Sequence, residues 1–168
     1  MRSVNSSMQL TRAADYGVRV MVVLAKMPRE RRFSLGELAE ATAAPESFLS
    51  KVLQQLAKGG LIVSRRGQSG GFAISDLGLN ANMRSVIEAV DGPIILNVCL
   101  ADGKSCKRSD WCPAHPVWVR AQAAMLTVLE EALIADMAAE RKVGGGSVVA
   151  AHARSVMVDQ IFPSEMLR

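Results

Sequence analysis

The chain has 168 residues and a net charge of +4, long enough for one domain with a real core, or for a small domain carrying an assembly arm. Hydrophobic residues make up 49% of it but aromatic residues only 4%, a balance of Ala, Val, Leu and Met that favours helices over strands. No segment reaches the roughly 18 consecutive apolar residues of a membrane span, and no basic start leads into an apolar leader, so a cytoplasmic protein with no membrane partner is expected. The charge is unevenly placed. Residues 1 to 78 hold 11 Lys/Arg against 6 Asp/Glu, or +5, whereas residues 79 to 168 hold 9 against 10, or −1. That asymmetry suggests a polyanion-binding module joined to a neutral one.

Residues 1 to 7, "MRSVNSS", are patternless and read as a flexible leader. From Thr11, a plausible N-cap, apolar residues at Tyr16, Val20, Val23, Leu24 and Met27 recur at helical spacing, so a helix should run to about Lys26 and end before Pro28. After the basic link "PRERRF", Ser34 and Glu37 form a capping box for a second helix, "LGELAEAT", with Leu35, Leu38 and Ala39 facing inward. The third helix follows the tight turn "AAP". Phe48, Leu49, Val52, Leu53 and Leu56 form its buried stripe, and it stops at Gly59-Gly60. Its opposite face offers Ser47, Ser50, Lys51, Gln54 and Gln55, short polar and cationic groups able to reach base edges and phosphates.

"LIVSRRGQSGGFAIS" then reads as a β-hairpin, with strands Leu61 to Val63 and Phe72 to Ile74 around a glycine-rich tip bearing Arg65 and Arg66. Helices followed by a basic hairpin make a winged helix-turn-helix, in which the third helix enters the major groove and the tip approaches the minor groove. Ser47, Phe48, Ser50, Lys51, Gln54, Arg65 and Arg66 are the expected DNA-binding residues. The glycines do not form a nucleotide loop, because no Walker lysine follows them. A short helix, Met83 to Val90, ends at Gly92-Pro93. From His115 a long helix should run to about residue 142, with apolar residues on more than one side. Such a helix needs a partner to cover it, and a homodimer would also match the symmetry of an inverted-repeat DNA site.

Between these helices, "CLADGKSCKRSDWCPAH" holds all three cysteines and one of the two histidines, as Cys99-x6-Cys106-x5-Cys112-x2-His115. Three cysteines cannot all pair within one chain, and a reducing compartment disfavours a lasting disulfide. The loop has no core of its own. Three thiolates and a fourth ligand suit an iron-sulfur cluster or tetrahedral zinc, and uncoordinated or redox-active thiols remain open. The wide Cys99 to Cys106 spacing favours a cluster over a single ion. A thiol enzyme would need a base constellation or a cofactor loop, which the sequence lacks, so no enzyme is expected.

The segments "MQLTRAADYGVRVMVVLA", "ESFLSKVLQQLAKGGLIVSRRGQSGGFAIS", "SVIEAVDGPIILNVC" and "CPAHPVW" together resemble the IscR/NsrR family of winged-helix regulators over about residues 8 to 140. The resemblance implies a dimeric bacterial transcription regulator whose iron-sulfur cluster senses cluster supply, redox stress or nitric oxide, with Cys99, Cys106 and Cys112 as ligands. IscR-type members place a histidine three residues after the last cysteine, as at His115, and hold a 2Fe-2S cluster. NsrR-like members use an aspartate near the start, as at Asp15 in "ADYG", to reach a 4Fe-4S cluster in the partner subunit. This chain has both residues, and its "GPIILNVC" and "CPAHPVW" segments look closer to regulators of cluster-assembly genes. One departure is the six residues between Cys99 and Cys106, where five is common. The expected map is a leader (1–7), a DNA-binding region (8–92), a cysteine loop (93–115), a dimerisation helix (116–142) and a mobile tail (143–168).

Overall fold

A computed structural model describes residues 10–67, 70–101 and 106–139; the expected leader and tail lie outside them. Helix α1 (Arg12–Ala25) starts where Thr11 Oγ1 accepts the amides of Ala13 and Ala14, at 3.1 and 3.3 Å. One face, Ala14, Gly17, Val20, Met21 and Leu24, is buried. Helix α2 (Leu35–Thr42) has the expected capping box, with the Ser34 hydroxyl accepting from the Glu37 amide and the Glu37 carboxylate accepting from the Ser34 amide. Helix α3 (Glu46–Lys58) buries Leu49, Val52, Leu53 and Leu56 against α1 and α2. Pro45 takes its N-cap position, where a missing amide hydrogen costs nothing.

Strands β1 (Ile62–Arg65) and β2 (Gly71–Ile74) pair antiparallel, with Ile62 opposite Ile74 and Arg65 opposite Gly71. Phe33 adds a bridge to Phe72 on the free edge of β2, so the link between α1 and α2 also braces the wing. The turn after β2 tightens into helix α4 (Asp76–Leu79), capped by Ser75, which the apolar spacing did not reveal. Helix α5 (Met83–Asp91) lies along α1, close enough that a Cβ at Gly17 would meet Val90 Cγ2 at 3.0 Å. The ends of these two helices are also tied. Thr11 Oγ1, besides capping α1, stands 2.8 Å from both carboxylate oxygens of Asp91.

Past the cysteine loop, helix α6 (His115–Glu131) is 17 residues long and buries none of them. The run to residue 142 is not one helix, contrary to expectation. Ala132 leaves helical geometry (ψ 88), its carbonyl accepts the Met83 amide at 2.8 Å, and the Ile134 amide donates to Ala81 at 2.9 Å. Helix α7 (Ile134–Ala139) then folds back onto α1, with Ile134 fully buried in the core. No glycine or proline marks this break; two backbone hydrogen bonds and one buried isoleucine outweigh local helix propensity there. Ile134→Ala should therefore lower unfolding free energy by about 2–5 kcal/mol, as expected for a buried large-to-small change, and denaturant titration reads the loss.

Candidate nucleic-acid interface and cysteine loop

The turn between α2 and α3 sets the angle of the outward face of α3. Ala43 adopts the left-handed conformation (φ 53), and Ala44 is buried beside it. Ser47, Lys51 and Gln54 lie exposed on one side of α3, and Ser50 is half-exposed among them. Phe48 does not belong to the buried stripe, as its apolar character suggested. It is 40% exposed and meets Tyr16 edge-on, with ring centroids 5.7 Å apart and planes at 73°. It therefore borders the exposed polar residues of α3. Arg65, at the end of β1, and Arg66, just beyond it, are exposed and form no ion pair among the described residues.

Around the cysteines, the chain forms a short 3₁₀ turn, Val98–Leu100, that contains Cys99 and packs on α6. Residues 106 to 112 follow as successive turns, in which the Ser109 amide donates to Cys106 and the Cys112 amide to Arg108. All three cysteines are free thiols of intermediate exposure. The His115 amide donates to the Cys112 carbonyl at 3.1 Å, so His115 opens α6 one turn after the last cysteine. Its side chain does not cap the helix. Its Nδ1 is buried and has no hydrogen-bond partner among the described residues. Asp15 is differently placed, exposed on α1 and paired with Arg19 at 2.7 Å.

Three soft thiols and an unsatisfied imidazole nitrogen within one loop suit an iron-sulfur cluster or zinc by donor chemistry. Among the described residues, no three His, Cys, Asp or Glu side chains are yet gathered around a single point. The loop is held at both sides: the Leu96 amide donates to Gln122 Oε1 on α6 at 2.9 Å, and Arg84 on α5 binds Glu88 at 3.1 Å and also Glu130 on α6. Those two carboxylates raise the pKa of Arg84 above its ordinary value. Sequence reasoning missed these anchors; a lone glutamine within the apolar run 117–129 is their faint signal.

The chain matches the Rrf2 family, described as an iron-dependent transcriptional regulator, over residues 10–140. It belongs to that family. Relatives in two strains of Mycobacterium tuberculosis, MT1325 and Rv1287, carry names of HTH-type transcriptional regulators and are 31% identical over 137 residues, 78% of this chain and 81% of theirs. Among solved structures, the chain is similar to CymR, the global cysteine regulator of B. subtilis, with a TM-score of 0.61 and 27% identity over 77% of this chain and 95% of that one. It is also similar to T. potens IscR, with a TM-score of 0.64 and 25% identity over 84% and 96%. The mainly α, winged helix-turn-helix architecture is thus that of Rrf2 transcriptional regulators. No helix among the described residues is long and apolar enough to cross a membrane.

The capping box that starts α2 gives a pH signature. Hydrogen bonds from the Ser34 backbone and hydroxyl, with a smaller contribution from Arg31, hold the Glu37 carboxyl below its ordinary value. A depressed carboxylate adds stability above the unfolded value, about 4.3, and loses it as pH falls through the lower folded value. Glu37→Gln should therefore melt below wild type at neutral pH, and the gap should close as thermal melts are taken to lower pH through that range.

Proposed function

We propose that the chain is a homodimeric, DNA-binding repressor or activator that senses iron-sulfur cluster status, and that it controls cluster-assembly genes. The observation that carries this reading is His115. Its Nδ1 is a buried nitrogen without a partner, in the same loop as three free thiols. A buried polar atom left unbonded is costly, and coordination removes that cost. In this reading Cys99, Cys106, Cys112 and His115 hold the cluster, with 2Fe-2S favoured over 4Fe-4S. Asp15, the alternative ligand, already has Arg19 as its partner and would have to give it up. A bound cluster would supply a redox-active, oxidant-sensitive centre.

The protein's own residues do the remaining work. Ser47, Phe48, Ser50, Lys51 and Gln54 meet the major groove, and Arg65 and Arg66 meet the minor groove or phosphates. Val117, Trp118, Val119 and Val128 leave apolar side chains exposed on more than one side of α6, which supports a second copy as its cover. Two heads joined through α6 would read an inverted-repeat operator. Asp91, hydrogen-bonded to Thr11, ties the start of the loop to the first turn of α1, so ordering of the loop bears on the position of each head.

A second reading keeps the DNA-binding dimer and assigns the thiols to direct oxidation, or to structural zinc. Similarity to a global cysteine regulator and three free, partly exposed cysteines favour the thiol version. Anaerobic purification followed by iron and sulfide analysis and ultraviolet-visible spectroscopy separates the readings. A cluster protein is coloured and changes spectrum in His115→Ala but not in Asp15→Ala. A colourless protein with one zinc, or with neither metal nor sulfide, overturns the cluster reading. For the DNA interface, Lys51→Ala and Arg66→Ala should each weaken operator binding and flatten its salt dependence, by about 0.9 in log K against log salt for each phosphate left without its cation. Anisotropy titrations at several salt concentrations check this.

A further inference from the structure

We propose that Arg32 is a DNA-phosphate contact, carried by the strand that flanks the wing. The inference rests on the DNA-binding reading but concerns a residue outside both the recognition helix and the hairpin. The link between α1 and α2 has three arginines. Arg29 is paired with Asp76 at 2.6 Å. Arg31 lies 3.7 Å from Glu37 and stacks over the Phe33 ring at 4.7 Å. Arg32 has no carboxylate partner among the described residues, and its Nη1 is buried without a hydrogen bond. Arg32 as a whole is half-exposed, so its guanidinium can turn outward, where its planar fork fits a phosphate and the unbonded Nη1 gains an acceptor.

The sheet brings Arg32 to the base of the wing. The Phe33 amide donates to Phe72 at 2.9 Å and the Phe72 amide to Phe33 at 2.8 Å, which makes the segment a short third strand antiparallel to β2. Gly71 has φ +130, and a Cβ there would stand 2.6 Å from the Phe33 carbonyl oxygen and 3.4 Å from Arg32 Cβ. Glycine thus lets Arg32 close against the base of the wing. Across the hairpin, Gly71 pairs with Arg65. Arg32 and Arg65 therefore approach one glycine from opposite sides. With Arg66 they form a set of cations without ion-pair partners among the described residues, while the nearby carboxylates Glu37 and Asp76 already face Arg31 and Arg29. A polyanion is the ligand such a set suits.

A phosphate contact is indifferent to sequence, so the probe is a short DNA duplex of arbitrary sequence, bound to the full chain across a range of KCl concentrations. Neutralising one phosphate fewer lowers the slope of log K against log salt by about 0.9 per protomer bound, and Arg32→Gln should show that fall together with a several-fold drop in affinity. Arg32→Lys should keep most of the slope, and Arg29→Gln should keep all of it. If Arg32→Gln does not fold by circular dichroism, Arg32→Met carries the same expectation. A folded Arg32 variant lacking the charge but keeping the wild-type slope overturns the inference while leaving DNA binding intact. Salt-independent or absent binding by the wild type would instead overturn the DNA-binding reading, and this inference with it.

Discussion

The buried face of α1 is the surface on which most of the described core is assembled. Val20, Met21 and Leu24 are all but inaccessible to solvent, and α2, α3, α5, α7 and β2 all make contact with this one helix. Each fully buried aliphatic side chain contributes about 1.5–3 kcal/mol, so a few such residues account for a large share of the net stability of a small domain. The recognition helix and the root of the cysteine loop thus share a single support. Thr11 makes the connection specific, because one hydroxyl both caps α1 and binds Asp91, the last residue of α5. A shift in the chain after Asp91 therefore acts first on the helix against which α3 is packed.

Helix α6 poses the opposite problem. Polar anchors hold it at its middle, Gln122 with Leu96, and at its C-terminal end, Glu130 with Arg84, yet no residue of the helix is buried. Polar ties fix where the helix points but remove little apolar surface from water. A 17-residue helix gains most of its stability from packing, so cover over the outer side of α6 would add what the polar ties do not supply. This need for cover, rather than the helix length alone, makes a second copy the simplest partner in the proposed dimer. The break at Ala132 strengthens the case, because the chain returns to the core through α7 and leaves α6 without a fully buried residue.

Much of the DNA-binding head was legible in the sequence because its signals are local. Ser34 and Glu37 mark a capping box at a fixed spacing, Thr11 precedes a helical apolar pattern, and glycines bound both α3 and the wing. What could not be read depends on contacts between distant residues. Phe48 has the hydrophobicity of a core residue and the spacing of the stripe, but its place at the edge of α3 puts it against Tyr16 and solvent. The α6 break lacks any local signal, since its cause is hydrogen bonding to Ala81 and Met83, some fifty residues earlier. The cysteine loop was legible as a donor set, whereas the difference between the His115 and Asp15 environments required the fold.

That difference constrains how a sensor of the proposed kind can work. A ligand that favours DNA binding must itself be held more tightly on DNA, by the same factor, and one that disfavours DNA binding less tightly. His115 lies at the first turn of α6, and Asp15 at the first turn of α1, so the two candidate ligands would couple the loop to different bodies. Ligation by His115 would satisfy a buried nitrogen that has no partner and would tie the loop to the helix proposed to join two copies. Ligation by Asp15 would break an exposed ion pair, which is worth little, but would draw the loop of one copy towards the head of the other. The first acts on the relative orientation of two heads through a stiff helix, and the second pulls on one head directly. Because α1 also carries Thr11, whose contact with Asp91 already fixes the loop's origin, histidine ligation leaves that tie intact and gives α6 the greater leverage.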